Sequence, residues 1–191
     1  MSANPKSFLT EEEYLAQERK AEYKSEYLNG EVFAMAGGTY RHASIISDFA
    51  GELRNRFRGF SCNVVTQDMR VRVSSGGSYT YPDILVVCGP PEFLDETEDT
   101  LLNPIFIAEV LSDSTRDYDL GGKFDLYRQI PTLQEYITVE QRAVHLITRQ
   151  RQPDGSWLLR DYKDLTEAAP FPSLGTDVPL SEIYRRISFP A

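Results

Sequence analysis

Residues 104–111 of the chain read PIFIAEVL. A nearly continuous apolar run of this length is typical of a strand that is buried on both faces of a sheet. Glu109 interrupts the run, and burying a lone carboxylate is costly unless it is paired or bound to a metal ion. We therefore expect Glu109 to belong to a site, the alternative being a strand-end carboxylate hydrogen-bonded to a neighbouring loop.

A second strand is predicted at residues 81–88, YPDILVVC, and it also carries a carboxylate. Pro82 suits the start of a strand, so Asp83 opens the apolar run at an end of the sheet. Alone, Asp83 would be an ordinary strand-start aspartate. With Glu109 on another buried strand, a shared sheet edge where the two carboxylates bind Mg²⁺ or Mn²⁺ becomes a competing interpretation.

The elements around these strands predict a mixed α/β (α+β) fold in a single domain, residues 1–191. Thr10 and Glu13 form the pattern of a capping box, which predicts a first helix. Asn29 and Gly30 predict a tight hairpin turn. The remaining predicted elements are helices at about 40–58, 117–129 and 180–186, strands at CNVVTQ, MRVRV, QEYITV, AVHLITR and SWLLRDY, and a loop at 89–103.

Two of the predicted helices turn a titratable side chain toward their apolar face. At about 100° per residue, Lys123 falls inside the apolar arc of its helix, beside Phe124 and Tyr127. A lysine there either snorkels past its neighbours or carries its charge to a buried anion. His42 falls in the middle of the apolar stripe of the second helix, as a satisfied core residue or a site residue. Glu31, next to the hairpin turn, either faces the same core or simply ends the hairpin.

Composition excludes several classes of protein. The 191 residues include 20 Lys+Arg and 29 Asp+Glu, a formal net charge of −9, and 41% are hydrophobic. No apolar run reaches the roughly 18–20 residues of a membrane span. No apolar stretch of a signal peptide occurs near the start, so we expect a cytoplasmic protein. Cys62 and Cys88 are too few and too isolated to indicate a disulfide framework or a zinc site.

The acidic balance argues against broad non-specific binding to nucleic acid, which relies on a basic surface. Local phosphate contact would fall to the best basic cluster in the sequence, which could equally be solvated surface: Arg54, Arg56, Arg58, Arg70 and Arg72. With His42 and His145 as the only histidines, a Ser/His/Asp or Cys/His constellation has few candidates. Neither a P-loop nor a G-x-G-x-x-G motif occurs, so nucleotide-cofactor binding has no support.

The strings YPDILVVC at 81–88 and NPIFIAEVLSDSTRDYDLGGKFDLYRQIPTLQEYITV at 103–139 together resemble the PD-(D/E)XK nuclease superfamily. The similarity extends to LNGEVFAMAGGT and PSLGTDVPLSEIY and so covers most of the chain. The combined pattern most resembles the Uma-type restriction endonuclease family. This resemblance implies a restriction-endonuclease-like fold, in which a central mixed β-sheet is flanked by helices.

The resemblance also implies residue roles. Asp83 would be the motif aspartate and Glu109 the second acid. A standard motif would place a lysine two residues after Glu109, where this chain has Leu111. In this branch the lysine is supplied by the following helix, and Lys123, which the helical phase independently turns inward, fits that place. Further positions of the family are matched by Glu31, His42 and Asp68, the last with an equally supported structural role.

The implied function is that of a metal-dependent endonuclease, which hydrolyses phosphodiester bonds in DNA with Mg²⁺ or Mn²⁺, as a homodimer and away from membranes. The implied metal ligands are Asp83, Glu109 and the main-chain carbonyl of Val110. Lys123 would position the attacking water or neutralise charge in the transition state. Glu31 would add a metal ligand or a base, and His42 would orient a carboxylate or a water. The alternative is a catalytically inactive nuclease fold kept as a DNA-binding or protein-interaction module.

Overall fold

Two large β-sheets and four α-helices make up the computed structural model, which describes residues 8–189 except 36, 60, 75–76, 113–115 and 117. The helices are α1 (Glu11–Glu18), α2 (Tyr40–Arg56), α3 (Lys123–Tyr127) and α4 (Leu180–Ile183). A π-helical turn, Tyr118–Gly122, leads directly into α3, and a 3₁₀ turn lies at Pro172–Leu174. No helix in the described ranges is long and apolar enough to cross a membrane.

The strands form one six-stranded sheet, one five-stranded sheet and a separate pair. They are β1 (Ser25–Leu28), β2 (Glu31–Ala34), β3 (Cys62–Thr66), β4 (Arg70–Ser74), β5 (Ser78–Thr80), β6 (Ile84–Cys88), β7 (Thr100–Leu101), β8 (Phe106–Leu111), β9 (Glu135–Glu140), β10 (Leu146–Arg151), β11 (Trp157–Tyr162), β12 (Ala168–Phe171) and β13 (Thr176–Pro179). The larger sheet has the order β11–β10–β9–β8–β6–β3, the second has the order β2–β1–β5–β4–β7, and β12 pairs with β13.

Strand β8 lies inside the six-stranded sheet, antiparallel to β6 and parallel to β9. All of its residues are buried, which confirms the expectation drawn from its apolar run. Ile84 of β6 pairs with Ala108 of β8. Because the two strands are antiparallel, the next residues along this ladder, Asp83 and Glu109, lie side by side at one edge of the sheet.

The side chains of β6 separate two hydrophobic cores, because neighbours along a strand point to opposite faces. Ile84 and Val86 belong to the core that contains α2 and α4. Leu85 and Val87 belong to the core that contains α3 and β4. A third, smaller cluster joins α1 to the five-stranded sheet and consists of Tyr14, Tyr27 and Tyr79.

The local signals near the N-terminus are confirmed. Thr10 caps α1 with a capping box: the Glu13 amide donates to Thr10 Oγ1 at 3.2 Å, and the Thr10 amide donates to Glu13 Oε2 at 2.8 Å. Asn29 and Gly30 join β1 to β2 with φ angles of 49° and 97°. Positive φ at both central positions is the requirement of a type I′ turn, which explains this residue pair.

Other elements depart from the predictions. The strands β5, β7, β12 and β13 were not predicted, because runs of two to four residues carry too little periodicity to be recognised. β7 lies inside the segment predicted as a loop. The helix predicted at 117–129 begins instead as the π-helical turn at Tyr118, and the start of that prediction, Asp117, lies outside the described residues.

The view that Cys62 and Cys88 are isolated is wrong. β3 and β6 pair antiparallel with Cys62 directly opposite Cys88, and the two residues form a disulfide with Cα atoms 4.0 Å apart. The sequence did not reveal this disulfide, because the two cysteines are 26 residues apart and meet only through the register of β3 and β6. One cross-strand bridge links the edge strand β3 to the strand that follows Asp83.

Candidate active site

Glu109 and Lys123 meet in the buried centre of the site. Lys123 Nζ lies 3.1 Å from Glu109 Oε1, and Tyr127 donates its hydroxyl to the same oxygen at 2.8 Å. Glu109 is 3% exposed and Lys123 is 6% exposed. Lys123 and Tyr127 lie four residues apart in α3 and therefore share one helix face, so the inward phase predicted for Lys123 is confirmed. Its charge is carried to a buried anion.

Asp83 is fixed against the end of β8 by reciprocal main-chain contacts. The Val110 amide donates to Asp83 Oδ2 at 2.8 Å, and the Asp83 amide lies 3.3 Å from Glu109 Oε2. His42 Nε2 lies 3.2 Å from the same Asp83 Oδ2. His42 stands on α2, so it reaches Asp83 from the opposite side of the sheet to α3. The side chain of Asp83 remains partly exposed.

Two further carboxylates surround Lys123, and the sequence analysis singled out neither. Glu26 Oε1 lies 3.2 Å from Lys123 Nζ, and Asp119 Oδ1 lies 3.4 Å from it. Glu26 stands on β1 opposite Phe33, and cross-strand partners share a sheet face. Phe33 itself is 47% exposed, so the apolar pattern of the hairpin gave no signal that Glu26 is buried.

The electrostatics of the cluster reflect burial and mutual charge. Burial raises the pKa of Glu109, the charge of Lys123 opposes the shift, and Asp83 is the first of three acids that reinforce it. Burial alone would lower the pKa of Lys123, but Glu109 and the other acids raise it well above its ordinary value. Lys123 is therefore held as a cation. For His42, burial lowers the pKa, the hydrogen bond to Asp83 raises it, and the net pKa is raised.

The donor set fits a hard divalent cation. The cluster holds four carboxylates against the two basic side chains of Lys123 and His42, so it has room for added positive charge. Asp83 and Glu109 provide adjacent oxygens, the ligand type that Mg²⁺ and Mn²⁺ prefer. Among the described residues, no three His, Cys, Asp or Glu side chains are already spaced as a metal site. Further ligands would be main-chain oxygen, as at Val110, and water, which Mg²⁺ retains readily.

The remaining residues that the sequence singled out have the following places. Glu31 sits at the turn end of the hairpin opposite Leu28, and its role at a metal site stays a prediction. Asp68 is mostly exposed and holds Lys24, with 2.6 Å between Lys24 Nζ and Asp68 Oδ1. His145 pairs with Asp161.

The predicted basic cluster is largely engaged in internal contacts. Arg70 is 2% exposed and contacts Thr100, Tyr81 and Asp99. Arg72 pairs with Glu11, Arg56 pairs with Glu52, and Arg54 donates to the Val64 carbonyl. Phosphate contact through this group is therefore wrong for Arg70, because its guanidinium is buried and satisfied by acceptors distant in sequence. Arg58 is exposed, and it is the one arginine of the five for which no contact has been described above.

Comparisons with known proteins identify the family of this chain. The family model Uma2, described as "Putative restriction endonuclease", matches residues 11–181. Two relatives come from Synechocystis sp.: the uncharacterized protein slr1290 is 33% identical over 181 residues (95% of this chain, 94% of that protein), and sll1609 is 35% identical over 153 residues (80% and 86%).

A solved structure is also similar. The crystal structure of a "putative nuclease belonging to DUF820" from Anabaena variabilis superposes with a TM-score of 0.75 at 17% identity, over 93% of this chain and 98% of that one. The nuclease-like mixed sheet with flanking helices is thus confirmed. The family match spans most of the chain, and on that basis the protein belongs to the Uma2 family of restriction-endonuclease-like proteins.

Proposed function

We propose that this protein is a metal-dependent endonuclease that hydrolyses phosphodiester bonds in DNA with Mg²⁺ or Mn²⁺. One observation carries the proposal: two carboxylates of adjacent strands and one buried lysine converge at a sheet edge, with Lys123 Nζ 3.1 Å from Glu109 Oε1. Stabilising a lone carboxylate would not require this excess of buried acid. The family description supports phosphodiester chemistry, since restriction endonucleases cut DNA.

The carboxylates of Asp83 and Glu109, together with the Val110 carbonyl, would hold the metal. When bound, the metal polarises a phosphoryl oxygen and lowers the pKa of a bound water. The Val110 amide and His42 both contact Asp83 Oδ2, which fixes the rotamer of Asp83. His42 therefore acts by orienting Asp83.

Lys123 supplies positive charge next to the reacting phosphate. Its ammonium group is kept protonated by Glu26, Glu109 and Asp119, so it holds its protons at Nζ and neutralises charge that develops on the phosphoryl oxygens. An ammonium donor also orients the attacking water by hydrogen bonding. Tyr127 fixes the Glu109 oxygen that faces Lys123.

We further propose that the protein acts in the cytoplasm as a homodimer, since a two-fold pair of sites can address both strands of a duplex. The experiment is cleavage of supercoiled plasmid with Mg²⁺ or Mn²⁺, for wild type, Asp83→Asn, Glu109→Gln and Lys123→Met. The matched control is Glu135→Gln, because Glu135 is equally buried in the same sheet but bonds Ser173. We expect cleavage by wild type and the control and at least about a hundredfold loss in the three site variants. A folded wild type that cuts no DNA with either metal would leave the inactive binding module as the function.

A further inference from the structure

A cleft of about 250 Å³ opens beside the candidate active site, and Asp83 is part of its wall. The same wall includes Lys24, Tyr81 and the glycines Gly37 and Gly38. Small-molecule sites are commonly about 300–1,000 Å³ and enclose their ligand. This smaller cleft suits one unit of a polymer that passes across the surface, which on the proposed function is a nucleotide next to the cleaved bond.

Lys24 is positioned at this cleft by the strand that supplies Glu26 to the interior. It directly precedes β1, and its carbonyl accepts from the Met35 amide at 2.9 Å, which extends the β1–β2 pairing. Residues two apart in an extended segment share a face. Glu26 therefore points to Lys123, while Lys24 reaches the cleft with 40% of its side chain exposed.

The ammonium group of Lys24 is held in place but not saturated. It lies 2.6 Å from Asp68 Oδ1, 3.1 Å from the Gln67 carbonyl and 5.6 Å from the centre of the Tyr81 ring. A lysine has three N–H donors, and these two oxygen acceptors use two of them. The third donor is available to an anion in the cleft. Asp83 follows Tyr81 by two residues, and both line the same cleft.

The glycines keep this cleft open. Gly37 lines the cleft, and a Cβ added there would meet nothing within 4 Å, so a side chain can be introduced without a clash. At Gly38 an added Cβ would lie 2.8 Å from His42 Nδ1, so glycine there allows the imidazole to approach the loop. Gly37 is thus a position where the cleft can be filled without disturbing the fold.

We propose that this cleft binds a nucleotide flanking the scissile phosphate, with Lys24 donating to the phosphate of that nucleotide and Asp68 positioning Lys24. The proposal rests on the proposed function for the identity of the ligand. It gives Asp68 a positioning role, and it provides a phosphate contact in place of Arg70, which is buried.

The test measures binding of a fluorescein-labelled DNA duplex by anisotropy with Ca²⁺ in place of Mg²⁺, over a range of salt concentrations. We expect Lys24→Met to weaken binding about tenfold and to reduce the slope of log K against log salt by about 1, as for loss of one phosphate contact. Lys163→Met is the control, because Lys163 is 68% exposed and remote in sequence; it should bind as wild type.

Asp68→Asn separates the phosphate contact from a structural salt bridge. The amide oxygen of asparagine still accepts a hydrogen bond from Lys24 and so keeps the ammonium group in position. If Lys24 contacts phosphate, Asp68→Asn therefore removes only a competing negative charge, and DNA binding is kept or tightened. If the Lys24–Asp68 pair is structural, Asp68→Asn weakens binding as much as Lys24→Met, and the proposal is overturned. Gly37→Met should also weaken binding at least about tenfold by filling the cleft, with Gly51→Met on α2 as the control in open space.

Cleavage kinetics then distinguish this proposal from the proposed function. With Mg²⁺ we expect Lys24→Met to raise KM while kcat changes less than about threefold, since the contact is uniform to ground and transition states. If wild type cleaves DNA and Lys24→Met has the same KM and the same affinity for DNA, the nucleotide site is refuted and the nuclease function stands. Lys24-dependent DNA binding by a wild type that never cleaves refutes the nuclease function and leaves the site standing.

Discussion

Removing the charge of Lys123 should destabilise the fold more than any other single lysine change. In Lys123→Met the chain keeps the apolar stem and loses the ammonium group that lies between 3.1 and 3.4 Å from oxygens of Glu109, Glu26 and Asp119. Breaking a buried ion pair by deleting one partner typically costs about 3–5 kcal/mol, because a buried charge is left uncompensated. We expect a loss of that size in the free energy of unfolding.

The assay is urea denaturation of the metal-free protein, followed by circular dichroism. Lys163→Met should change the free energy of unfolding by less than about 0.5 kcal/mol, since an exposed pair at 3.9 Å contributes little. Tyr127→Phe should lose about 1.5–3 kcal/mol, as expected for one hydrogen bond to a charged group.

A double variant tests whether the loss comes from charge or from packing. Glu26→Gln removes one of the carboxylates that Lys123→Met leaves unpaired, so the double variant should be more stable than the sum of the two single losses by about 1–3 kcal/mol. A loss below about 1 kcal/mol in Lys123→Met, or strictly additive effects in the double variant, would refute the argument that Lys123 is the compensating cation.

Three further changes test the fold away from this cluster. Burial raises the pKa of Glu135 to about 7, so ionisation of Glu135 destabilises the fold as the pH rises from about 4.5 through 7. Glu135→Gln should therefore increase the free energy of unfolding by up to about 3 kcal/mol at pH 8 but by little at pH 4.5. Urea denaturation at both pH values checks this, and a loss of stability at pH 8 would contradict it. Replacing Cys62 and Cys88 by serine should lower the free energy of unfolding by about 3 kcal/mol, because the bridge closes a loop across 26 positions; non-reducing denaturation of wild type is the comparison. Thr10→Ala should cost about 1 kcal/mol by removing the cap of α1, seen as a lower melting temperature, and no change would show that α1 needs no cap.

The parts of the site that the sequence predicted are those where a charge conflicts with its surroundings. Glu109 stood in an apolar strand and Lys123 stood on the apolar face of a helix, and the structure joins them. Asp83 was predicted from its place at a strand start, and its contact with Val110 follows from the register of β6 and β8. Only for Lys123 was periodicity alone enough to orient the side chain.

The parts that were missed depend on partners distant in sequence. Arg70 looked like a surface cation because nothing near it in sequence revealed Thr100 and Asp99, which lie on and beside a two-residue strand. Glu26 was missed because its partner Lys123 is distant in sequence. Hydrophobic pattern sets the face of an element, but strand pairing decides which polar side chains meet across it.

The cluster around Lys123 also has a consequence for how the protein folds. Its members come from β1, the residue before β6, β8, the π-helical turn and α3, segments spread from residue 26 to residue 123, and α2 reaches it from the far side of the sheet. No short fragment contains the whole set, and forming it requires loop closures of high contact order. We therefore expect the site to form late in folding and to be lost when either sheet opens, so that its chemistry reports on the integrity of both sheets.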